Sequence, residues 1–247
     1  MASGERHVEL DDLALRRGTS QDADSLARLM TWCRQAAVPM MPPPVHTPEE
    51  DREWIGRQLD GEREVWLAEA DGELVGYVIL EPGWLHSVYV RPDCLGRGIG
   101  SFLLDFVKSL RPQGFALWVF VSNEPARRFY LRHGLVEIRR TDGAENEEGS
   151  PDIEMAWLGS DPLSALRRRV DEVDDELAVL LDRRAVLSAR IQAFKAVPGH
   201  GGRDPDREAQ IAERLASGAP HLGLERIRRI MHVVISESLD AAESESP

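Results

Sequence analysis

The sequence predicts an α+β domain over residues 1–160 followed by an all-helical domain over residues 161–247. Three observations lead there. Short β-type runs alternate with helical periodicities as far as "LGSDP" (158–162), and no β-type run comes after it. A seven-residue apolar repeat then runs for about 33 residues. The breaker residues Gly199, Gly201, Gly202, Gly218 and Pro220 divide the C-terminal part into three helical segments.

In the first part, "EVWLAEA" (64–70) and "ELVGYVILE" (73–81) flank Asp71-Gly72, a two-residue hairpin signal. "WLHSVYV" (84–90), "FALWVFV" (115–121) and "IEMAW" (153–157) read as further strands. Helical spacing fits 21–36, 48–60, 100–110 and 124–133. "VPMMPPPVHTP" (38–48) is too rich in proline for a helix, and "TDGAENEEGSPD" (141–152) reads as an acidic turn or loop. In the second part the helices are expected at about 163–196, 205–217 and 223–242, with Asp204 as N-cap and Pro205 at the first helical position.

The formal net charge is −13. The first 160 residues carry 17 basic against 27 acidic side chains, the remainder 13 against 16. Such a surface repels polyanions, so no nucleic-acid partner is expected. No run approaches the ~20 apolar residues of a membrane span, and no membrane partner is expected. The opening "MASGERHVELDDLAL" has acids where a signal peptide needs an apolar run. Cys33 and Cys94 are too few and too far apart for a disulfide framework or a metal site. The expectation is a reduced, cytoplasmic protein without a metal.

Chemistry concentrates at two places. In "RPDCLGRGIGSFLLDFV" (91–107), a glycine-rich turn joins a strand to an amphipathic helix. Gly96, Gly98 and Gly100 let the backbone curl so that several N–H groups face one anion, the helix adds its positive end, and Arg97 adds a movable charge. Such a turn suits a pyrophosphate. No Gly-Lys-Ser/Thr closes it, so it is not a Walker loop. A β-meander precedes it, so it is not a dinucleotide fingerprint.

The second place is "LDRRAVLSARIQAFK" (181–195). The apolar seam runs Leu163, Leu166, Val170, Val173, Leu177, Leu180, Leu187, Ile191, Phe194, and its missing member is Arg184. Burying a lone guanidinium costs several kcal/mol, so Arg184 is expected to need an anionic partner. Asp204, Asp206 and Glu208 are candidates for an interhelical salt bridge. Lys195 lies three turns further on the same face, roughly 16 Å away by helical rise, so the two side chains are placed to bracket a small anion. Arg167 lies about 25 Å from Arg184 along the axis, so it reaches such a site only from a second, antiparallel copy.

With "NEPARRFYLRHGL" (123–135) added to the glycine-rich turn, residues 12–158 resemble the GNAT superfamily of acetyl-CoA-dependent N-acetyltransferases. Leu95 stands where that family has Gln or Arg, a position that mainly offers its backbone amide. The resemblance implies a mixed sheet with flanking helices. It implies that the amides of Leu95, Gly96, Arg97, Gly98, Ile99, Gly100 and Ser101 hold the pyrophosphate of acetyl-CoA. It further implies that Val88, Tyr89 and Val90 pair with the pantetheine arm, that Asn123 hydrogen-bonds it, and that Tyr130 reprotonates the leaving thiolate. His86 lies where some members carry the base that deprotonates the amine. A histidine suits that task, though a structural histidine fits the position equally. Glu81 and a water relay are the other options. Met40, Met41 and Trp84 read as core, with an apolar slot for the unknown amine as the alternative.

Residues 163–242 resemble the AroQ class of chorismate mutases, all-helical intertwined dimers. The spacing of Arg167, Asp174, Arg184, Lys195, Asp204, Arg207 and Glu208 agrees with that class. The resemblance implies a homodimer through the C-terminal helices that rearranges chorismate to prephenate. Arg184 and the Arg167 of a second copy would grip the carboxylates, and Lys195 a carboxylate and the ether oxygen. Arg207, Glu208 and Asp204 would position or receive substrate groups, and Ser238 matches a site serine. Ala242 stands where the family usually has Gln or Glu, a second donor to the ether oxygen. The sequence therefore leads to a bifunctional enzyme. Its rivals are a mutase-like sensor regulating the acetyltransferase, a degenerate acetyltransferase scaffold, or helices acting on 4-amino-4-deoxychorismate or isochorismate.

Overall fold

The computed structural model describes residues 12–194 and 204–244. The chain divides into two units, Met1–Leu166 and Arg167–Pro247. The first holds a seven-stranded sheet in the order β1-β2-β3-β4-β5-β7-β6. Its strands are β1 (Leu13–Arg17), β2 (Glu64–Ala70), β3 (Glu73–Glu81), β4 (Trp84–Val90), β5 (Phe115–Phe120), β6 (Val136–Arg140) and β7 (Asp152–Trp157). Its helices are α1 (Ala23–Ala36), α2 (Pro48–Asp60), α3 (Ile99–Leu110) and α4 (Glu124–Arg132).

The β2–β3 hairpin turns at Asp71 and Gly72, both with positive φ (51° and 76°), as the Asp-Gly pair predicts. β3 is buried along "VGYVIL" because the sheet is covered on both sides. Tyr77 and Ile79 pack with Leu26, Met30 and Ile55 of α1 and α2. Val75, Val78 and Leu80 pack with Ile99, Leu103 and Leu104 of α3. A strand covered on both faces reads as a continuous apolar run, not an alternating one. α2 starts at a capping box: Thr47 Oγ1 accepts from Glu50 N–H (3.3 Å), and Glu50 Oε2 accepts from Thr47 N–H (2.8 Å).

Every strand pair is antiparallel except β4–β5, which is parallel and registers only at Trp84↔Ala116. Just beyond that point β4 carries a bulge. Leu85 pairs with Leu80 and Ser87 with Ile79, which leaves His86 as the extra residue. A bulge increases local twist and bends the strand, and here β4 and β5 part company after it.

In the second unit α5 (Pro162–Phe194) is followed by α6 (Pro205–Gly218) and α7 (Gly223–Ser244). Asp204 caps α6, its carboxylate accepting from Arg207 N–H at 3.0 Å, with Pro205 in the first turn. Ala212, Ile227 and Ile235 are buried. The seam of α5 is not. Its apolar members from Leu163 to Ile191 are 41% to 61% exposed, and Phe194 is 88% exposed. No helix among the described residues is long and apolar enough to cross a membrane.

Candidate active sites

The parting of β4 and β5 opens a cavity of about 500 Å³. Val88, Tyr89 and His86 line it from β4, Trp118 and Val119 from β5, and the N-cap Asn123 with Ala126 and Tyr130 from α4. Beyond Trp84↔Ala116 the edge of β4 that faces β5 has no strand partner among the described residues, which leaves room there for an extended ligand, although Val90 O already accepts from Cys33 Sγ at 3.2 Å.

The glycine-rich turn runs from the end of β4 into α3. Gly96 and Gly98 take positive φ (78° and 86°), and Gly98 is the N-cap of α3. Side chains with a Cβ resist that conformation, so glycine is required at both places. Phe102 N–H bonds Gly98 O at 3.0 Å. The first-turn amides ahead of it, at Ile99, Gly100 and Ser101, have no intrahelical carbonyl to meet. Leu95 is 65% exposed on the lip of this turn, and Arg97 is half-buried. At Gly100 an added Cβ would lie 3.4 Å from the Phe129 ring, so α4 packs closely on the start of α3. His133 ties the same two helices. Its Nδ1 meets Phe129 O at 2.8 Å and its Nε2 meets Ser101 Oγ at 2.9 Å. Spacing alone gives no signal for that role of His133.

Asn123 caps α4 through its side-chain oxygen, which accepts from Ala126 N–H at 3.3 Å. Tyr130 is half-buried, and burial pushes its phenol well above the usual tyrosine range, with neighbouring Tyr89 adding to the shift. It is therefore a proton donor at neutral pH. Burial raises Tyr89 to about 12. His86 Nε2 lies 2.8 Å from Glu81 Oε1, and Arg63 Nε donates to Glu81 Oε2 at 3.1 Å. The bond to His86 and then that to Arg63 hold the Glu81 carboxyl below its ordinary range. The two base candidates thus form one hydrogen-bonded unit. Met41 lines the cavity and Trp84 stacks on Trp118 at 6.1 Å, while Met40 is exposed rather than core.

Two charged pairs that no motif or spacing in the sequence signals lie at or near the cavity, Arg34–Glu148 in its lining and His46–Glu147 outside it. Arg34 Nη2 lies 2.5 Å from Glu148 Oε1, both side chains only 12–13% exposed. His46 Nε2 lies 2.6 Å from Glu147 Oε2. The 141–151 segment is itself tied down: Asn146 Nδ2 donates to Ser150 O (2.8 Å) and to Asp152 Oδ2 (3.0 Å). The partners in both pairs are over a hundred positions apart, beyond the reach of any local pattern.

In the helical unit, Arg184 and Ser238 meet. Arg184 Nη1 donates to Ser238 Oγ at 2.6 Å and to Val234 O at 3.1 Å, while Ser238 donates to Val234 O at 2.6 Å. The salt bridge expected for Arg184 with Asp204, Asp206 or Glu208 is absent among the described residues. Its partners are a hydroxyl and a carbonyl, because α7 rather than the start of α6 lies against it. Asp204 serves as the α6 cap, Arg207 is exposed one turn in, and Glu208 is half-buried. Arg167 is exposed on α5, 17 positions from Arg184. Ala242 is buried on α7, one turn after Ser238. Lys195 lies outside the described residues.

A mixed sheet split at one parallel pair, with a glycine-rich turn into a helix beside the split, defines the GNAT class of fold for the first unit. Residues 26–135 match the Acetyltransferase (GNAT) family, and residues 166–243 match Chorismate mutase type II. The chain thus carries a GNAT acetyltransferase domain and, after it, a chorismate mutase type II domain. It is 39% identical over 70 residues to the peptidyl-lysine N-acetyltransferase YiaC of Escherichia coli, covering 28% of this chain and 47% of that protein. It is 34% identical over 80 residues to the bifunctional chorismate mutase/prephenate dehydratase of Escherichia coli, covering 32% of this chain and 21% of that one. The chain thus spans about half of the first relative and a fifth of the second. The solution structure of apo-form YjaB from Escherichia coli superposes with a TM-score of 0.50 at 21% identity, over 60% of this chain and 99% of that one, which shows the fold.

Proposed function

We propose that the chain is a bifunctional enzyme. Residues 1–160 transfer acetyl from acetyl-CoA to an amine, and residues 161–247 rearrange chorismate to prephenate as a homodimer. The observation that supports the first activity is the split between β4 and β5 beside the positive-φ turn at Gly96 and Gly98. The first-turn amides at Ile99, Gly100 and Ser101 are offered to a pyrophosphate, with Gly96, Arg97 and Gly98 beside them, while the Leu95 N–H, which meets Pro92 O at 3.4 Å, would have to exchange that bond for the ligand. The open edge of Val88, Tyr89 and Val90 suits the amide-bearing pantetheine arm, with Asn123 beside it. The free amine attacks the thioester carbonyl carbon, the C–S bond breaks, and Tyr130 donates its proton to the departing thiolate. His86 takes the proton that the amine nitrogen sheds once it has added to the carbonyl carbon. Glu81 engages Nε2, which leaves Nδ1 as the accepting nitrogen. Phenol and imidazole then exchange their protons through solvent.

The mutase reading rests on Arg184. Among the described residues its side-chain partners are neutral, so its half-buried positive charge suits a dianionic ligand that would compensate it. The rearrangement is pericyclic and needs no acid, base or nucleophile from the protein. The site must hold the compact conformer and stabilise charge growing on the ether oxygen. Arg184 with Ser238, Arg207, Glu208, Asp204 and Lys195 would contribute from one copy and Arg167 from the other. Ala242 favours a second reading, in which the helical domain binds chorismate without turning it over and regulates the acetyltransferase.

Two assays on the full chain test these readings. Saturating acetyl-CoA is expected to raise the melting temperature, since a ligand of the native state stabilises it. An unchanged Tm would leave the first domain a scaffold. Loss of chorismate absorbance is expected with the wild type and not with Arg184→Ala. Binding of chorismate without turnover would select the sensor.

A further inference from the structure

Arg139 lines the cavity with its guanidinium held from two sides. Its Nε donates to Glu154 Oε2 at 2.9 Å, and Glu154 is only 6% exposed. Its central carbon lies 5.1 Å from the ring centroid of Trp118, which lines the same cavity. Among the described residues nothing in the protein takes its terminal nitrogens Nη1 and Nη2. A planar fork fixed at its inner edge and along its face, with its outer donors open, matches the two oxygens of a carboxylate.

The carboxylates around the cavity are not equivalent. Glu148 is neutralised by Arg34, and Asp152 accepts from Thr141 and Asn146. Glu145 lines the cavity and makes no ion pair among the described residues. One open cationic fork and one unpaired carboxylate on a single cavity complement a molecule bearing both signs. A polyamine would meet the guanidinium, and a dicarboxylate would meet Glu145. Size points the same way. The Arg34–Glu148 pair, buried and in the cavity lining, joins α1 to the loop before β7 and takes up part of that wall. The cavity of about 500 Å³ must also admit the acetyl-bearing end of the donor.

From these features we infer that the acetyl acceptor is a small amine carrying a carboxylate, of amino-acid size, and that Arg139 selects it by gripping that carboxylate. The inference rests on the acetyl-transfer reading above. Arg139 is a specificity residue in it and takes no part in the proton transfers.

The test pairs amino acids with the amines that lack only the carboxylate, such as phenylalanine with phenethylamine and methionine with 3-(methylthio)propylamine, alongside a lysine-containing peptide. CoA release is measured on the full chain. The carboxylated member of at least one pair is expected to react with kcat/KM tenfold or more above its partner and above the peptide. Arg139→Gln is expected to collapse that ratio at least tenfold through KM, and Arg139→Lys to restore it only in part. Because Arg139→Gln removes the guanidinium beside the buried Glu154, the double variant Arg139→Gln/Glu154→Gln provides the same comparison with both charges removed. Equal rates within every pair, a preference for the peptide, or a ratio unmoved in both variants overturns the inference while leaving the acetyltransferase intact. No transfer to any amine together with no acetyl-CoA-induced rise in Tm overturns the acetyltransferase reading and this one with it.

Discussion

Tyr130 and Arg184 carry the two proposed chemistries, and each is legible in the sequence for a different reason. Tyr130 falls within a motif, and the structure adds that burial keeps its phenol protonated. Tyr130→Phe is expected to lower kcat for acetyl transfer by 10²–10⁴-fold with little change in the KM of either substrate. A rate within threefold of wild type would remove it from the proton path. Arg184 is visible as a break in a heptad. Its surroundings are not, because Ser238 and Val234 lie 54 and 50 positions away on another helix. Likewise the sequence marks His86 and Glu81 as rival bases, and only the bulge in β4 explains why they are partners.

At the scale of elements, local signals are strong wherever a turn or cap fixes the ends. Asp71-Gly72, Thr47-Pro48 and Asp204-Pro205 all begin or end elements where their chemistry requires. β1 and β6 escape sequence reading. "LALRR" and "VEIRR" are five-residue strands at the two edges of the sheet, with arginines that blunt any apolar alternation. Asp22 at the head of α1 gives a pH prediction. Its carboxylate accepts from Arg16 Nη2 at 2.7 Å and from Thr19 N–H at 2.8 Å. The bond from Arg16 is the main cause that lowers its pKa from 3.8 to about 2. A depressed carboxylate stabilises the fold above its unfolded pKa, and that contribution is lost as pH falls from about 4 towards 2. The loss is on the order of 2 kcal/mol at most. Asp22→Asn is expected to lower Tm at pH 7, with the difference from wild type shrinking across that window. A constant difference would assign the effect to packing instead.

At the scale of the whole molecule, the seam of α5 is the largest unresolved demand. Eight apolar side chains from Leu163 to Ile191 stay open to solvent on a 33-residue helix, a cost that a second helix removes. Leu177→Glu combined with Leu180→Glu is expected to give a monomer by analytical ultracentrifugation, and to abolish chorismate turnover while acetyl transfer persists. A dimer that survives both substitutions would place the interface elsewhere. Retained turnover in a monomer would show that the site needs no Arg167 from a second copy.

Sequence alone determined the α+β-then-helical order, the positions of most helices and strands, the glycine-rich turn into α3 and the charge in the α5 seam. Each of these is encoded within a few turns or strand lengths, where periodicity, caps and glycine conformations act locally. The tertiary structure alone decided that β4 and β5 separate after one residue pair. It also decided that Arg34 meets Glu148 in the cavity wall and His46 meets Glu147, and that Arg139 is clamped by Glu154 and Trp118 with its fork open. Most of those contacts join residues far apart in the chain, and their geometry depends on sheet twist and helix packing that no single segment specifies.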